Sequence, residues 1–248
     1  ADIRHYVSDP AFRQLPLAEL LSDAYAAERR ARIDPQRATL DQERGQPLAS
    51  SDTVYLTVVD EAGNACSFIN SNYTGFGTGI VPKGWGFTLQ NRGHNFSLDP
   101  KHPNALAPGK RPYHTIIPAM ITRPANGLEA PATEQLVASY GVMGGFMQPQ
   151  GHVQVALALI DDQLEPQAVL DRPRFCIQDG EAGGQVALEE GIPVPVMSQL
   201  ALMGHAVTPV SGYARAVFGR GQIILREAES GVLWGASDPR ADGLAMSL

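Results

Sequence analysis

The stretch from Thr53 to Asn72, TVYLTVVDEAGNACSFINSN, allows few folds. Val54, Leu56 and Val58 alternate with Tyr55, Thr57 and Val59, the period of a strand with two different faces. DEAGN is a turn, in which Gly63 and Asn64 supply positive-φ capacity. ACSFINS is the returning strand. A turn centred between Ala62 and Gly63 sets Asp60 opposite Ala65, and Thr53 opposite Asn72 or its neighbour Ser71. The hairpin therefore brings a second hydroxyl, that of Ser71, back towards Thr53.

What precedes Thr53 has a different character. LAELLSDAYAAERRARI, residues 17–33, carries apolar positions at helical spacing and reads as one amphipathic helix. Residues 34–52, DPQRATLDQERGQPLASSD, are polar, contain Pro35, Gly45 and Pro47, and show no period. They read as a long exposed linker, the kind of segment in which chains are cut. The sequence opens ADIRHYVSDP, with neither an initiator Met nor an apolar signal region, and is expected to be a processed product or a fragment.

Downstream, residues 75–118 are rich in Gly, Pro and Asn, and long irregular stretches of this kind inside a domain usually carry function. QLVASYGVMGGFMQPQ reads as a strand entering a double-glycine turn, and GHVQVALALIDD as a helix just after it. PVPVMSQLALMGHAV is a helix ending near Gly204, then a strand. GQIILREAESGVLWGASDPR is a hairpin turning at Glu229, Ser230 and Gly231. Strands and helices mix without a βαβ rhythm, which indicates α+β layers rather than a doubly wound sheet.

Composition excludes several functions. The 248 residues are 44% hydrophobic and 18% charged, enough apolar surface for a real core, with a formal charge of −7. Without a basic run there is no footprint for nucleic acid or an anionic membrane. No apolar run approaches the roughly 20 residues that span a bilayer. Cys66 and Cys176 cannot build a disulfide framework; each is expected to be a buried thiol, and the pair leaves the compartment open. GFGTG at residues 75–79 has the wrong spacing for a dinucleotide loop, and Arg111 stands where a phosphate loop needs Ser or Thr after Lys110. The six histidines form no HExxH, HxH or HxxxH set, so neither a metal nor a cofactor is expected.

Two features retain chemical meaning. Gly144 and Gly145 lie at a turn between a strand and a helix. Adjacent amides without Cβ bulk can converge on one oxygen and stabilise a tetrahedral intermediate; the plain alternative is an ordinary tight turn. Thr53 is either a strand starter or a nucleophile released by cleavage in front of it. A threonine exposed as a new N-terminus carries its own base, an α-amine of pKa near 7.7–8.0.

DTVYLTVVDEAGNACSF, FGTGIV, LQNRGHNFS, APGKRPYHTIIPAM, GVMGGFMQPQ, LDRPRF and GASDPRADG together, and in this order, resemble the gamma-glutamyltranspeptidase family of N-terminal-nucleophile hydrolases. The resemblance covers nearly the whole chain. It implies an αββα sandwich, with residues 1–52 as the C-terminal end of the large subunit and residues 53–248 as the small, catalytic subunit. It implies self-cleavage at Asp52–Thr53, Thr53 as nucleophile, Ser71 as its hydrogen-bonding hydroxyl, and Gly144 and Gly145 as the oxyanion hole. Arg92, Asn95, His114 and Thr115 fall at donor-binding positions.

At the donor end the chain departs from the family pattern. Transpeptidases carry an aspartate where this chain has Asn95, a serine pair where it has His114 and Thr115, and an asparagine where it has Tyr73. A neutral Asn95 loses a charge-assisted contact with a substrate ammonium. The pattern is similar to the amidase branch that includes oxamate amidohydrolase. The resemblance thus implies an amidohydrolase or acyltransferase acting on a γ-glutamyl or other small amide, with water as the main acceptor and γ-glutamyl donors poor. Its partner would be the rest of the large subunit, in a heterodimer or a dimer of heterodimers. The other reading is a non-catalytic or incomplete relative.

Overall fold

The computed structural model describes residues 2–39, 51–124, 134–177 and 185–247. In chain order its helices are α1 (Asp2–Tyr6), α2 (Leu17–Leu20), α3 (Asp23–Ala31), α4 (Met147–Ile160), α5 (Pro166–Asp171) and α6 (Val194–Leu202). Its strands are β1 (Ser51–Val59), β2 (Ala65–Thr74), β3 (Ala119–Pro124), β4 (Glu134–Met143), β5 (Phe175–Ile177), β6 (Gln185–Glu189), β7 (Ala206–Val210), β8 (Arg220–Arg226) and β9 (Leu233–Ser237).

The expected helix over residues 17–33 is two helices. Ser22 interrupts it: its hydroxyl accepts from the Tyr25 amide at 3.2 Å and caps α3, so the chain restarts rather than continues. Residues 40–50 of the expected linker lie outside the described residues. Its described start is tied down where the Ala38 amide donates to the Met203 carbonyl at 2.7 Å.

β1 and β2 form an antiparallel ribbon, and β3-β4-β8-β9 form a four-stranded sheet. The ribbon lies on β4 and β8, while α4 and α5 cover the sheet's other face. β4 is consequently buried on both sides. Tyr140 and Val142 point to the helices and pack with Val155, Ala158, Val169, Leu170, Ile223 and Ala236. Gly151 lets α4 come close, since a Cβ there would lie 2.6 Å from Val142 Cγ1. Ser139 and Gly141 point the other way. Ser139 Oγ is 2.6 Å from Thr57 Oγ1, and the Tyr55 ring lies over Gly141. A third sheet, β5-β6-β7, is antiparallel at its first pair and parallel at its second.

These are α+β layers: helices, sheet, ribbon. Val54, Leu56, Val58 and Phe68 stand exposed on the ribbon's outer face, and among the described residues no fourth layer covers them. Of the two thiols expected to be buried, Cys176 is and Cys66 is not. Cys66 pairs with Val58 in the ladder and shares that outer face.

Candidate active site

The hairpin register differs by one residue from a turn centred at Ala62–Gly63. Asp60 belongs to the turn: its amide donates to the Asn64 carbonyl at 3.0 Å, and its carbonyl accepts from Gly63 at 3.0 Å. Val59 therefore faces Ala65, and Thr53 faces Ser71. The ladder breaks between Asp52 and Thr53, where a bulge shifts the register. Across from that break Tyr73 has φ 78°, a left-handed conformation that costs a non-glycine residue of order 1–3 kcal/mol and persists only where surroundings enforce it.

Ser71 is the hub. Its Oγ lies 2.9 Å from Thr53 Oγ1 and accepts from the Tyr73 amide at 3.0 Å. Its carbonyl accepts from Arg92 Nη2 at 3.4 Å. Thr53 itself is only 4% exposed.

Arg92 sits in a short 3-10 turn, Arg92–Asn95, and is 3% exposed. Nη1 donates to Thr115 Oγ1 at 2.8 Å, and the guanidinium stands 5.4 Å from the centre of the Tyr73 ring. No carboxylate among the described residues forms an ion pair with it. Burial pulls its pKa below the ordinary arginine value, yet an arginine remains a cation. A buried cation with neutral partners favours an arriving anion.

Tyr73 Oη donates to Asn95 Oδ1 at 2.6 Å, and Asn95 Nδ2 donates to the Tyr113 carbonyl at 2.9 Å. His114 is apart from this set: its ring is exposed and Nδ1–H donates to the Pro112 carbonyl at 2.8 Å. Two residues that no sequence pattern indicated complete the scaffold. Asn104 donates to the Asn95 carbonyl at 2.6 Å and accepts from the Tyr113 amide at 3.1 Å. Tyr113 stacks on Phe146, ring centres 6.3 Å apart, which ties the loop to the residue after Gly145. An asparagine in a Pro- and Gly-rich loop has no periodicity to mark it.

The contacts of β1 with β4 locate the double-glycine turn. Thr57 meets Ser139 and Tyr55 meets Gly141. Two residues further back along β1 is Thr53, and two further along β4 is Met143, next to Gly144. Thr53 and the Gly144–Gly145 turn thus occupy the same end of the layered structure. Gly144 (φ 143°) and Gly145 (φ 60°) both use backbone that favours glycine.

This layering is the fold of the N-terminal-nucleophile hydrolases. The chain belongs to the gamma-glutamyltranspeptidase family, whose model matches residues 1–248. It is 34% identical over 244 residues to the glutathione hydrolase-like YwrD proenzyme of Bacillus subtilis, covering 98% of this chain and 44% of that protein. It is 32% identical over 246 residues to the oxamate amidohydrolase proenzyme of Klebsiella pneumoniae, covering 97% and 43%. Among solved structures, a cephalosporin acylase from Bacillus halodurans aligns with TM-score 0.82 and 46% identity, over 97% of this chain and 41% of that one. A gamma-glutamyltranspeptidase from Pseudomonas nitroreducens aligns with TM-score 0.66 and 25% identity, over 78% of this chain and 98% of that one. The chain thus spans less than half the length of these two curated relatives.

Proposed function

We propose that this chain carries the catalytic part of an N-terminal-threonine amidohydrolase that makes itself by cutting Asp52–Thr53. The observation that carries the reading is the 2.9 Å contact of Thr53 Oγ1 with Ser71 Oγ, beside a ladder bulge at that same peptide bond. Residues 1–52 would then end a large subunit, the rest of which is the partner, and residues 53–248 would be the small subunit. The near-complete match of the P. nitroreducens chain to 78% of this one supports that division.

In the uncut chain Thr53 has an amide nitrogen and no amine base. Its hydroxyl attacks the Asp52 carbonyl carbon. The C–N bond breaks, the nitrogen takes the proton, and the acyl group moves to oxygen as an ester. Water hydrolyses the ester, leaving a new carboxyl group on Asp52 and a free Thr53. The released α-amine then takes the hydroxyl proton as Thr53 attacks a substrate amide. The Gly144 and Gly145 N–H groups hold the oxyanion, the leaving amine departs with the proton, and water resolves the acyl-enzyme. Ser71 orients the Thr53 hydroxyl through their shared hydrogen bond.

Arg92, with Thr115 and Tyr73 around it, forms the donor end, and His114 lies at its rim. A buried arginine with no acid partner among the described residues suits a carboxylate on the acyl group. Asn95, held by Tyr73 and Tyr113, is neutral and has no charge to pair with a substrate ammonium. The reading is therefore an acyl donor bearing a carboxylate and lacking an α-amine, with γ-glutamyl amides poor. The names of the two curated relatives, an oxamate amidohydrolase and a glutathione hydrolase-like protein, bracket that choice.

The test is intact mass and N-terminal sequencing of the natural full-length protein and its Thr53→Ala variant. The wild type should yield a fragment beginning at Thr53, and the variant should stay uncut and inactive. Cleavage at the same bond in the variant would overturn the assignment.

A further inference from the structure

We propose that Gly219, held by the buried Arg174–Asp238 pair, is a positioning residue for the Gly144–Gly145 turn. The inference rests on the reading of that turn as the oxyanion hole. It adds Gly219, on the far side of the turn from Thr53, and with it Arg174 and Asp238 of the motifs LDRPRF and GASDPRADG, to which that reading assigns no part.

Peptide geometry sets the problem. The N–H of a trans peptide points opposite to the carbonyl of the same unit. The Gly144 carbonyl accepts from the Met147 amide at 3.1 Å, at the start of α4, so the Gly145 N–H is aimed away from that helix. The Gly144 N–H is aimed by the Met143 carbonyl, which belongs to the same peptide unit. What fixes the Met143 carbonyl therefore fixes one of the two oxyanion donors.

Gly219 is what lies against it. Built on Gly219, a Cβ would sit 2.7 Å from the Met143 carbonyl oxygen, 2.6 Å from Val142 Cγ1 and 3.3 Å from Met147 Cγ. Built on Gly144, a Cβ would sit 3.1 Å from Gly219 Cα. The two glycines are thus in direct backbone contact, and Gly219, at φ 75°, is in the left-handed region as well.

Gly219 is itself pinned. Arg174 Nη1 donates to the Phe218 carbonyl at 3.2 Å and to the Gly219 carbonyl at 3.3 Å. Arg174 is 2% exposed, and its Nη2 lies 2.9 Å from Asp238 Oδ2. That oxygen also accepts from the Gly221 amide at 2.8 Å, and Asp238 Oδ1 lies 3.0 Å from Arg240 Nη1. Burial pushes the Arg174 pKa down, and the Asp238 charge opposes that shift. Buried ion pairs of this kind are often no more stabilising than apolar packing. Their specific product here is direction: they hold two consecutive carbonyls, those of Phe218 and Gly219, beneath the turn. Position passes from Asp238 to Arg174, to the 218–219 backbone, to the Met143 carbonyl, and so to the Gly144 N–H.

The experiment compares an anilide substrate with its thioanilide counterpart, in the natural full-length protein and in Gly219→Ala and Arg174→Lys. A thiocarbonyl sulfur accepts hydrogen bonds poorly, so the oxygen-to-sulfur rate ratio reports how well the hole is aimed. Loss of an oxyanion donor costs about 10²–10³ in kcat, and a displaced donor costs less. Gly219→Ala should lower anilide kcat about tenfold to a hundredfold, leave KM within about twofold, and lower the oxygen-to-sulfur ratio about tenfold or more. Arg174→Lys, which keeps the charge and loses the fork, should move the same quantities less far, and it carries the test if Gly219→Ala does not fold. A high wild-type ratio that neither variant changes would overturn the proposal while leaving the oxyanion reading intact. A wild type with no oxygen preference would overturn that reading, and the proposal with it.

Discussion

The Tyr73 hydroxyl donates to Asn95 Oδ1 at 2.6 Å, and the other end of the same amide donates to the Tyr113 carbonyl at 2.9 Å. The Tyr113 carbonyl can only accept, so the amide nitrogen must face it, and the oxygen is left for Tyr73. Each end of Asn95 is thereby engaged within the protein, and neither carries a charge. Arg92, which stands over the Tyr73 ring, is left as the charged feature of this end of the site.

Asn95→Asp makes that arrangement testable. The new carboxylate would turn an oxygen towards the Tyr113 carbonyl, and the pair would need a donor between them. A substrate ammonium is such a donor. Hydrogen bonds to charged groups are worth about 1.5–3 kcal/mol, roughly tenfold to a hundredfold in rate. The expected outcome is that kcat/KM for γ-glutamyl anilide rises by that factor relative to glutaryl anilide, its deamino counterpart. An unchanged ratio between the two substrates would remove Asn95 from donor selection. A wild type that turns over glutathione as a true transpeptidase does, and loses this in Asn95→Ala, would overturn the substrate reading.

A second prediction concerns acid. Asp9 accepts from the Arg111 amide at 3.0 Å and from Arg111 Nη2 at 2.8 Å, across 102 positions of sequence, and from the Ala11 amide at 3.1 Å. The Arg111 side-chain bond, followed by these backbone bonds, holds the Asp9 carboxyl well below the usual carboxylate range. A depressed folded pKa stabilises the protein above the unfolded value, near 3.9, and this stabilisation is lost as pH falls through that value towards the folded one. Asp9→Asn should therefore lower the Tm at pH 6 and differ less from wild type at pH 3. A Tm difference that is constant across this range would show that the charge contributes nothing. If Asp52–Thr53 is cut as proposed, Asp9 and Arg111 lie on separate polypeptides and this clasp joins them.

What could be seen in the sequence follows physical periodicity. The ribbon repeats every two residues, and β4 and the β8–β9 hairpin are short apolar runs bounded by turn residues, so their existence was readable from residues 53–72, 135–143 and 221–237. The split at Ser22 was not, because a serine in a helical pattern caps only if the chain bends there. The start of α4 at Met147, ahead of the expected Gly151, was hidden by Pro149, which the first turn of a helix tolerates. The Thr53–Ser71 proximity followed from turn geometry to within one residue. The motif resemblance pointed to Arg92, Asn95, His114 and Thr115, but the scaffold behind them followed from no pattern: Asn104, Tyr113 and Phe146 are joined by loop backbone, and only three-dimensional closure brings them to Asn95. The interleaved Arg174, Asp238, Glu189 and Arg240 network, drawn from three separated segments, was equally silent.

The contact between Tyr55 and Gly141 gives the last prediction. A Cβ on Gly141 would lie 2.5 Å from Tyr55 Cε2 and 2.8 Å from Tyr55 Cζ. The ring cannot swing aside freely, since Tyr55 is 4% exposed and its hydroxyl lies 2.7 Å from Ser67 Oγ. Gly141→Ala must therefore lift the ribbon off β4 or displace the ring. Overpacking of this kind costs typically 1–3 kcal/mol. The shift acts at Tyr55, two residues from Thr53 on the same ribbon face, while the 144–145 turn stays fixed to α4. Thermal unfolding should show the loss of stability, and cleavage at Asp52–Thr53 should slow in the same variant. Val142→Ala, on the opposite face of β4, should lower stability by a similar amount, because it leaves a cavity against Gly151 and Val155, but should slow cleavage less. Equal slowing in the two variants would mean that cleavage follows overall stability, and that the seating of the ribbon on β4 has no separate part in it.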